Sequence, residues 1–213
     1  MKIQKILTII IVYLIVIGWK AETHKTFVEK LYYSMPNDLK NKFNLTELKD
    51  GSVAPDAIFK DFKYHHYPKS IVKAKLYLKN LTSYNLGIAS HYISDSFTAP
   101  HNVEGENYKL HAWFESQVEY YHPTTECKDY NLKIDNIESN ANDWYLWLKT
   151  KNKEIGEREV EEAMQYLYSL IFQLYPDFKC NKESIIEYET IYNTKSMIVS
   201  TAMLIIIIYI IKY

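Results

Sequence analysis

Residues 86–115, LGIASHYISDSFTAPHNVEGENYKLHAWFE, restrict this chain more than any other stretch. His91 and Asp95 stand four apart, and His111 and Glu115 repeat the spacing. Residues four apart share one face of a helix, so each pair predicts a helix with imidazole and carboxylate side by side. His101 lies between the pairs, directly after Pro100, where the first helix has to stop. One such pair is ordinarily a solvated face or a satisfied hydrogen bond. Two pairs and a further histidine, flanked by Leu86, Ile88, Ala89 and Ile93, predict a buried cluster instead. Burying such groups is costly unless they are paired or hold a metal. Nitrogen and oxygen donors without thiolate suit zinc.

Both ends of the chain are apolar. Lys2 and Lys5 precede the run 6–18, and no acid occurs before Glu22. That is the pattern of a secretory signal, and Gly18 is small enough to precede the cut. The alternative is a retained signal anchor, for which the run is short. Residues 197–211 are apolar almost without a break, and Lys212 follows. Their isoleucines leave no polar face, which predicts a C-terminal membrane anchor rather than a core helix. The expected organisation is a signal peptide at 1–18, one domain at 19–195 and an anchor at 196–213. The protein is then exported and held at the cell surface. Removing Lys2, Lys5 and Lys212 leaves 22 of the 25 basic residues against 26 acids, a net charge of −4. Such a domain has no general attraction for nucleic acid, although a nuclease with local, metal-borne affinity remains compatible. In an oxidising compartment Cys127 and Cys180 can pair as a disulfide or stand as two free thiols. Asn44-Leu-Thr46 and Asn80-Leu-Thr82 match the glycosylation acceptor pattern.

The remaining periodicity is helical, with no alternation of the kind strands require. Thr23 is expected to cap a helix over 24–35, stopped before Pro36. A short helical turn at 45–49 should end at Asp50-Gly51, with a loop from 51 to 68. Residues 70–79 and 80–97 predict one long helix or two. Further helices are expected at 108–121, 135–149 and 157–174, with another from 183 running into the anchor. Additional candidate ligands lie upstream: Asp56 in the loop, the pair His65-His66, and His24. If Trp19 is the mature terminus, its amino group and carbonyl can chelate a metal beside His24.

Taken together these residues resemble the zinc-dependent phospholipase C family, which is related to the S1/P1 nucleases. The resemblance rests on Trp19 and His24, Asp56, His65-His66-Tyr67, His91-x-x-x-Asp95, His101, and His111-x-x-x-Glu115. It covers about half the chain and accounts for six of the seven histidines, leaving His122. It implies an all-α, multi-helix bundle of the zinc-dependent phospholipase C and P1 nuclease type, to which the C-terminal transmembrane helix is added. It also implies three Zn2+ ions. One would be held by Asp56, His65 or His66, His91 and Asp95. The second would be held by His101, His111 and Glu115. The third would be held by the Trp19 amino nitrogen and carbonyl, His24 and a bridging Asp95. The resemblance leaves open which of His65 and His66 coordinates.

The reaction so implied is phosphodiester hydrolysis. Zinc neutralises phosphoryl oxygens and makes hydroxide available near neutral pH, and Asp56 orients or deprotonates the attacking water. Glu rather than Asp at position 115 resembles the phospholipases, which makes phospholipid the leading substrate. The Trp19–His24 spacing resembles the nucleases, and Tyr64, Tyr67, Trp113 and Phe114 are candidates for stacking bases. A non-catalytic, metal-stabilised surface binding module is the third reading. An incomplete ligand set would favour it.

Overall fold

The computed structural model describes residues 19–119, 121–127, 133–186 and 190. The expected signal peptide and membrane anchor lie outside these residues. Among those described there is no strand, and no helix is long and apolar enough to cross a membrane.

The chain begins with α1 (Trp19–Ser34) and a short α2 (Asn37–Lys40). Next come α3 (Leu45–Ala54), α4 (Lys69–Leu78) and α5 (Ser83–Phe97). The second half holds α6 (Tyr108–Ser116), α7 (Ala141–Thr150) and α8 (Glu154–Leu174). Helix α5 is the centre of the bundle. Leu86, Ile88, Ala89, Tyr92 and Ile93 point in different directions round it, yet all are buried. Gly87, Ser90, His91 and Asp95 on its other side are buried as well, so the helix is enclosed all round, by α1, α3, α4 and α8. A smaller cluster of Phe114, Trp144, Trp147 and Ile155 ties α6 and α7 to the start of α8.

Helix α3 runs through Asp50-Gly51, where the sequence predicts a stop. The reason is tertiary. A Cβ on Gly51 would lie 2.1 Å from the Tyr84 carbonyl oxygen, and one on Gly87 would lie 2.2 Å from that of Leu48. The two glycines let α3 and α5 cross backbone to backbone, and that contact outweighs the low helix propensity of glycine. The loop expected after Gly51 shrinks accordingly. It is replaced by a π-helical turn (Pro55–Phe59) and a 3-10 turn (Phe62–Tyr64). Lys60 between them takes a left-handed conformation, with φ of 51°.

Other boundaries also move. Helix α1 starts at Trp19, so Thr23 is not its cap; the Thr23 side chain lines a cavity instead. Residues 69–97 form two helices because Thr82 is extended and its hydroxyl accepts from the Asn85 amide, capping α5. Helix α6 ends at Ser116, five residues early. Helix α7 starts at Ala141, and residues 134–136 form a separate 3-10 turn. Cys127 and Cys180 are bonded to each other, joining the segment before α7 to the chain beyond α8. Asn44 uses its side-chain oxygen to accept from the Thr46 and Glu47 amides, capping α3.

Glu159 of α8 is buried, and its Oε2 accepts a hydrogen bond from the Ala99 amide at 3.0 Å. Burial raises its carboxyl well above the ordinary carboxylate range, with Asp143 and Glu162 adding to the effect and Arg158 opposing it. A carboxyl raised on folding retains its proton where the unfolded chain has lost it, so this group makes stability fall as pH rises above about 4.5.

Two predictions test this packing. Gly51→Ala should cost about 3 kcal/mol in urea denaturation, because the added methyl meets backbone rather than a flexible side chain. Glu159→Gln should keep the bond from Ala99 and flatten the acid-to-neutral loss. The melting temperature of the variant should rise relative to the parent between pH 5 and pH 8; a constant difference would remove Glu159 as its source.

Candidate metal centre

Helix α5 carries the centre of the site. His91 and Asp95 lie one turn apart on its inner face, both buried. The Ser52 carbonyl of α3 lies 2.8 Å from His91 Nδ1. A carbonyl can only accept, so Nδ1 carries the hydrogen and Nε2 presents its lone pair inward. Nε2 then stands 3.2 Å from Asp95 Oδ2 and 3.3 Å from His65 Nδ1. His65 Nδ1 is 3.0 Å from Asp95 Oδ2 and 3.6 Å from Asp56 Oδ1.

The other oxygen of Asp95 faces the opposite way. Oδ1 is 3.7 Å from His24 Nε2 and 4.0 Å from His101 Nε2. The 3-10 turn Ala99–Asn102 sets His101 against α6. There His101 Nε2 lies 3.4 Å, and His111 Nε2 lies 2.8 Å, from Glu115 Oε1. His24 of α1 lies over His91, the ring centroids 3.9 Å apart, and its Nδ1 is 3.3 Å from the Ser94 hydroxyl.

Three groups of donors result: His24, His91 and Asp95; Asp56, His65 and His91; and His101, His111 and Glu115. In each group the donor atoms lie within 4.8 Å of one another. Tetrahedral zinc with bonds near 2.05 Å separates its ligand atoms by about 3.4 Å, so these spacings are of the right size. A stronger indication is the hydrogen count. Asp95 Oδ2 is buried without a hydrogen bond, although His91 Nε2 and His65 Nδ1 both approach it. A bare imidazole nitrogen and a carboxylate oxygen repel each other unless positive charge lies between them. The donor set therefore fits a divalent cation.

Protonation shifts express the same demand. Burial pushes the His91 imidazole down, but the Asp95 carboxylate overrides it and the group rises to about 9. Burial pushes Asp95 up, but His91 and His101 hold it well below the ordinary range. Burial and the neighbouring His91 bring His24 down to about 4, so it is neutral and able to ligate. Without a cation the site takes up protons; a metal replaces them.

The sequence left His65 and His66 undecided, and the structure separates them. His65 is buried with Asp56, His91 and Asp95, whereas His66 is partly exposed, with Nε2 3.7 Å from Glu106 Oε1. Trp19 lies in the first turn of α1.

Two acids that the sequence did not single out lie behind the ligands, Glu106 within hydrogen-bond distance of its ring and Asp61 close to His65 without a hydrogen bond between them. Asp61 Oδ1 lies 3.4 Å from His65 Nε2, and its Oδ2 accepts from the Tyr92 hydroxyl at 2.8 Å. Glu106 Oε1 lies 3.2 Å from His111 Nδ1. Carboxylates behind metal-binding imidazoles orient the ring and raise its basicity. Asp61 had a signal, four residues before His65. Glu106 had none, because it sits in the irregular stretch before α6. The Ser52 contact involves only backbone, so no side chain could have announced it.

A cavity of about 910 Å³ opens over these residues. Asp56, His65, Asp95, His101 and Glu115 line it, and a largely apolar arm includes Phe27, Phe114, Val118 and Val160, with the buried acids Glu119 and Glu159 also in the lining. Of the four aromatics expected to stack bases, only Phe114 lines it. Tyr64 and Tyr67 pack against the core, and Trp113 stands edge-on to Trp147.

A protein-family model described as zinc dependent phospholipase C matches residues 23–172. No curated protein and no solved structure matches the chain. The matched range contains every candidate ligand except Trp19.

The two-sided placement of Asp95 has a measurable consequence. Asp95→Asn should lower bound zinc per chain, read by elemental analysis after dialysis, more than Glu115→Gln. Equal losses would count against a bridging carboxylate.

Proposed function

This chain belongs to the zinc-dependent phospholipase C family, and we propose that it hydrolyses the phosphodiester of membrane phospholipids. The family makes it a zinc-dependent hydrolase of phosphoric diesters. The finer reading rests on one observation: a cluster of histidines and acids that fits divalent cations opens directly into a largely apolar cavity. A phospholipid has that division, a charged phosphodiester joined to hydrocarbon.

When bound, zinc supplies Lewis acidity, neutralising phosphoryl oxygens and lowering the pKa of water towards about 7. Asp56 is the residue we assign to the attacking water. It is partly exposed to the cavity while its Oδ1 stays 3.6 Å from His65, so it can accept a proton without leaving the cluster. Asp95 is buried and serves to hold His24, His65, His91 and His101 in register. Ser52 and Glu106 fix the orientation of two imidazoles, His91 and His111. The apolar arm excludes water from the ester and accepts its lipid side. Water oxygen bonds to phosphorus, the ester P–O bond breaks, and the proton taken by Asp56 is available to the leaving oxygen.

We assign three ions, with the Trp19 amino nitrogen and carbonyl completing the His24 group after removal of residues 1–18. Export by that segment and anchoring by residues 196–213 belong to the same reading, supported by their apolar composition. A nuclease of the S1/P1 kind has less support here, because three of the four expected base-stacking aromatics are absent from the cavity wall.

The test is metal content and turnover of the protein with an authentic Trp19 terminus. Close to three zinc ions are expected, with phosphatidylcholine cleaved, activity lost on chelation and restored by zinc. Cleavage of single-stranded nucleic acid but not lipid would replace the phospholipase reading by the nuclease one. Turnover of neither would favour a binding module.

A further inference from the structure

The cavity mouth adjoins a surface with an unusual composition. In the segment from the π-helical turn into α4, Ile58 is 65% exposed and Phe62 is 59% exposed. On α4, Val72 is 69% exposed and Leu76 is 56% exposed. Phe59 stacks on Tyr77 with ring centroids 6.3 Å apart, which brings the two sets together. Phe62 and Ala57 line the cavity itself, so the apolar surface reaches its lip. Tyr108, which also lines the cavity, is 69% exposed.

The charge of this surface is also distinctive. Residues 57–79 contain six lysines, at 60, 63, 69, 73, 75 and 79, and one acid, Asp61, a net of +5 in a chain of net −1. Lys73 lies 3.1 Å from Asp61, and Lys75 pairs with Asp135. Lys60, Lys63, Lys69 and Lys79 are exposed. Lys69, Val72, Leu76 and Lys79 follow at intervals of three, four and three, which places charged and apolar groups on one face of α4. Lys60 holds a left-handed conformation usually left to glycine or asparagine, and it turns the chain between Phe59 and Phe62.

Isolated exposed apolar residues need no explanation, but a cluster of large ones mixed with lysine marks a binding surface. Four exposed cations exclude a basic partner. Apolar side chains that enter the headgroup boundary, with lysines at the level of lipid phosphates, are the chemistry of attachment to an anionic bilayer. We propose that residues 57–79 form a docking surface for anionic lipid that seats the cavity mouth on the membrane. This surface is separate from any anchor formed by residues 196–213. It acts on a chain already near the bilayer, turning the opening of the cavity towards the lipid.

The experiment is amide hydrogen exchange on the full chain with phosphatidylcholine vesicles, with and without phosphatidylserine. Exchange over 57–79 should slow with phosphatidylserine vesicles, and added salt should reverse the effect. Lys63→Glu with Lys69→Glu should abolish the difference, and Ile58→Ser with Leu76→Ser should reduce it. Both double variants should hydrolyse a soluble phosphodiester at the parental rate, while cleavage of phosphatidylserine-containing vesicles falls by about tenfold or more. Protection without vesicles would mean that the surface is covered by a second copy or by the chain's own apolar segment, and would overturn the proposal. Protection retained by both variants would overturn it too. Absence of all hydrolysis would remove the phospholipase reading and leave the exchange result standing.

Discussion

The crossing of α3 and α5 at Gly51 and Gly87 is the contact on which the site depends. Only hydrogen fits between these backbones, so the helices approach until the Ser52 carbonyl reaches the His91 ring. That hydrogen bond settles the tautomer, and the tautomer turns a lone pair into the centre of the molecule. The same approach carries α3 on into the π-helical turn, where Asp56 comes within 3.6 Å of His65. A glycine that would weaken an isolated helix is here the condition for a metal-sized space.

The electrostatics follow from enclosure. Asp95, His91, His65 and His101 are all buried, and burial penalises every charged form. The cluster holds more acceptors than its hydrogens can satisfy. Protons are a partial remedy, as the upward displacement of His91 shows. Cations are the complete one, and they convert a costly arrangement into a rigid one. Glu106 extends the same logic outward, holding the His111 ring from behind, and Asp61 places a further carboxylate 3.4 Å from His65. Lys73 and Tyr92 in turn hold Asp61.

Beyond the ligands, the molecule is divided between polar and apolar in a way that suits an amphiphile. The cluster lines one part of the cavity and the arm beside it is largely apolar, although Glu119 and Glu159 are also in the lining. Large apolar side chains and lysines continue outward from the lip across α4. A phosphodiester at the cluster, a hydrocarbon in the arm and a bilayer at the mouth are mutually consistent placements. The disulfide from Cys127 to Cys180 lies away from all three and fastens the chain beyond α8 to the segment before α7.

Much of this was legible before folding. The spacing of His91 to Asp95 and His111 to Glu115 determined two helices with ligands on one face, because helical periodicity is a local property. Pro100 fixed the break that frees His101. Residue type determined the chemistry, since imidazole and carboxylate without thiolate suit few ions. The extension of α3 through Gly51 was not legible, because its cause lies 36 residues away at Gly87. Nor was the choice of His65 over His66 in the donor group, since adjacent residues differ in direction only once the turn 62–64 is formed. The thiol pairing stood open for the same reason: Cys127 is carried by the segment whose Thr124 and Glu126 bond Glu161 and Gln165 of α8, a contact between residues far apart in the chain. Sequence by itself determined which groups can bind metal, because donor chemistry and local spacing belong to single segments. Tertiary structure alone decided which atoms meet, because burial, tautomer and distance are set by helices far apart in the chain.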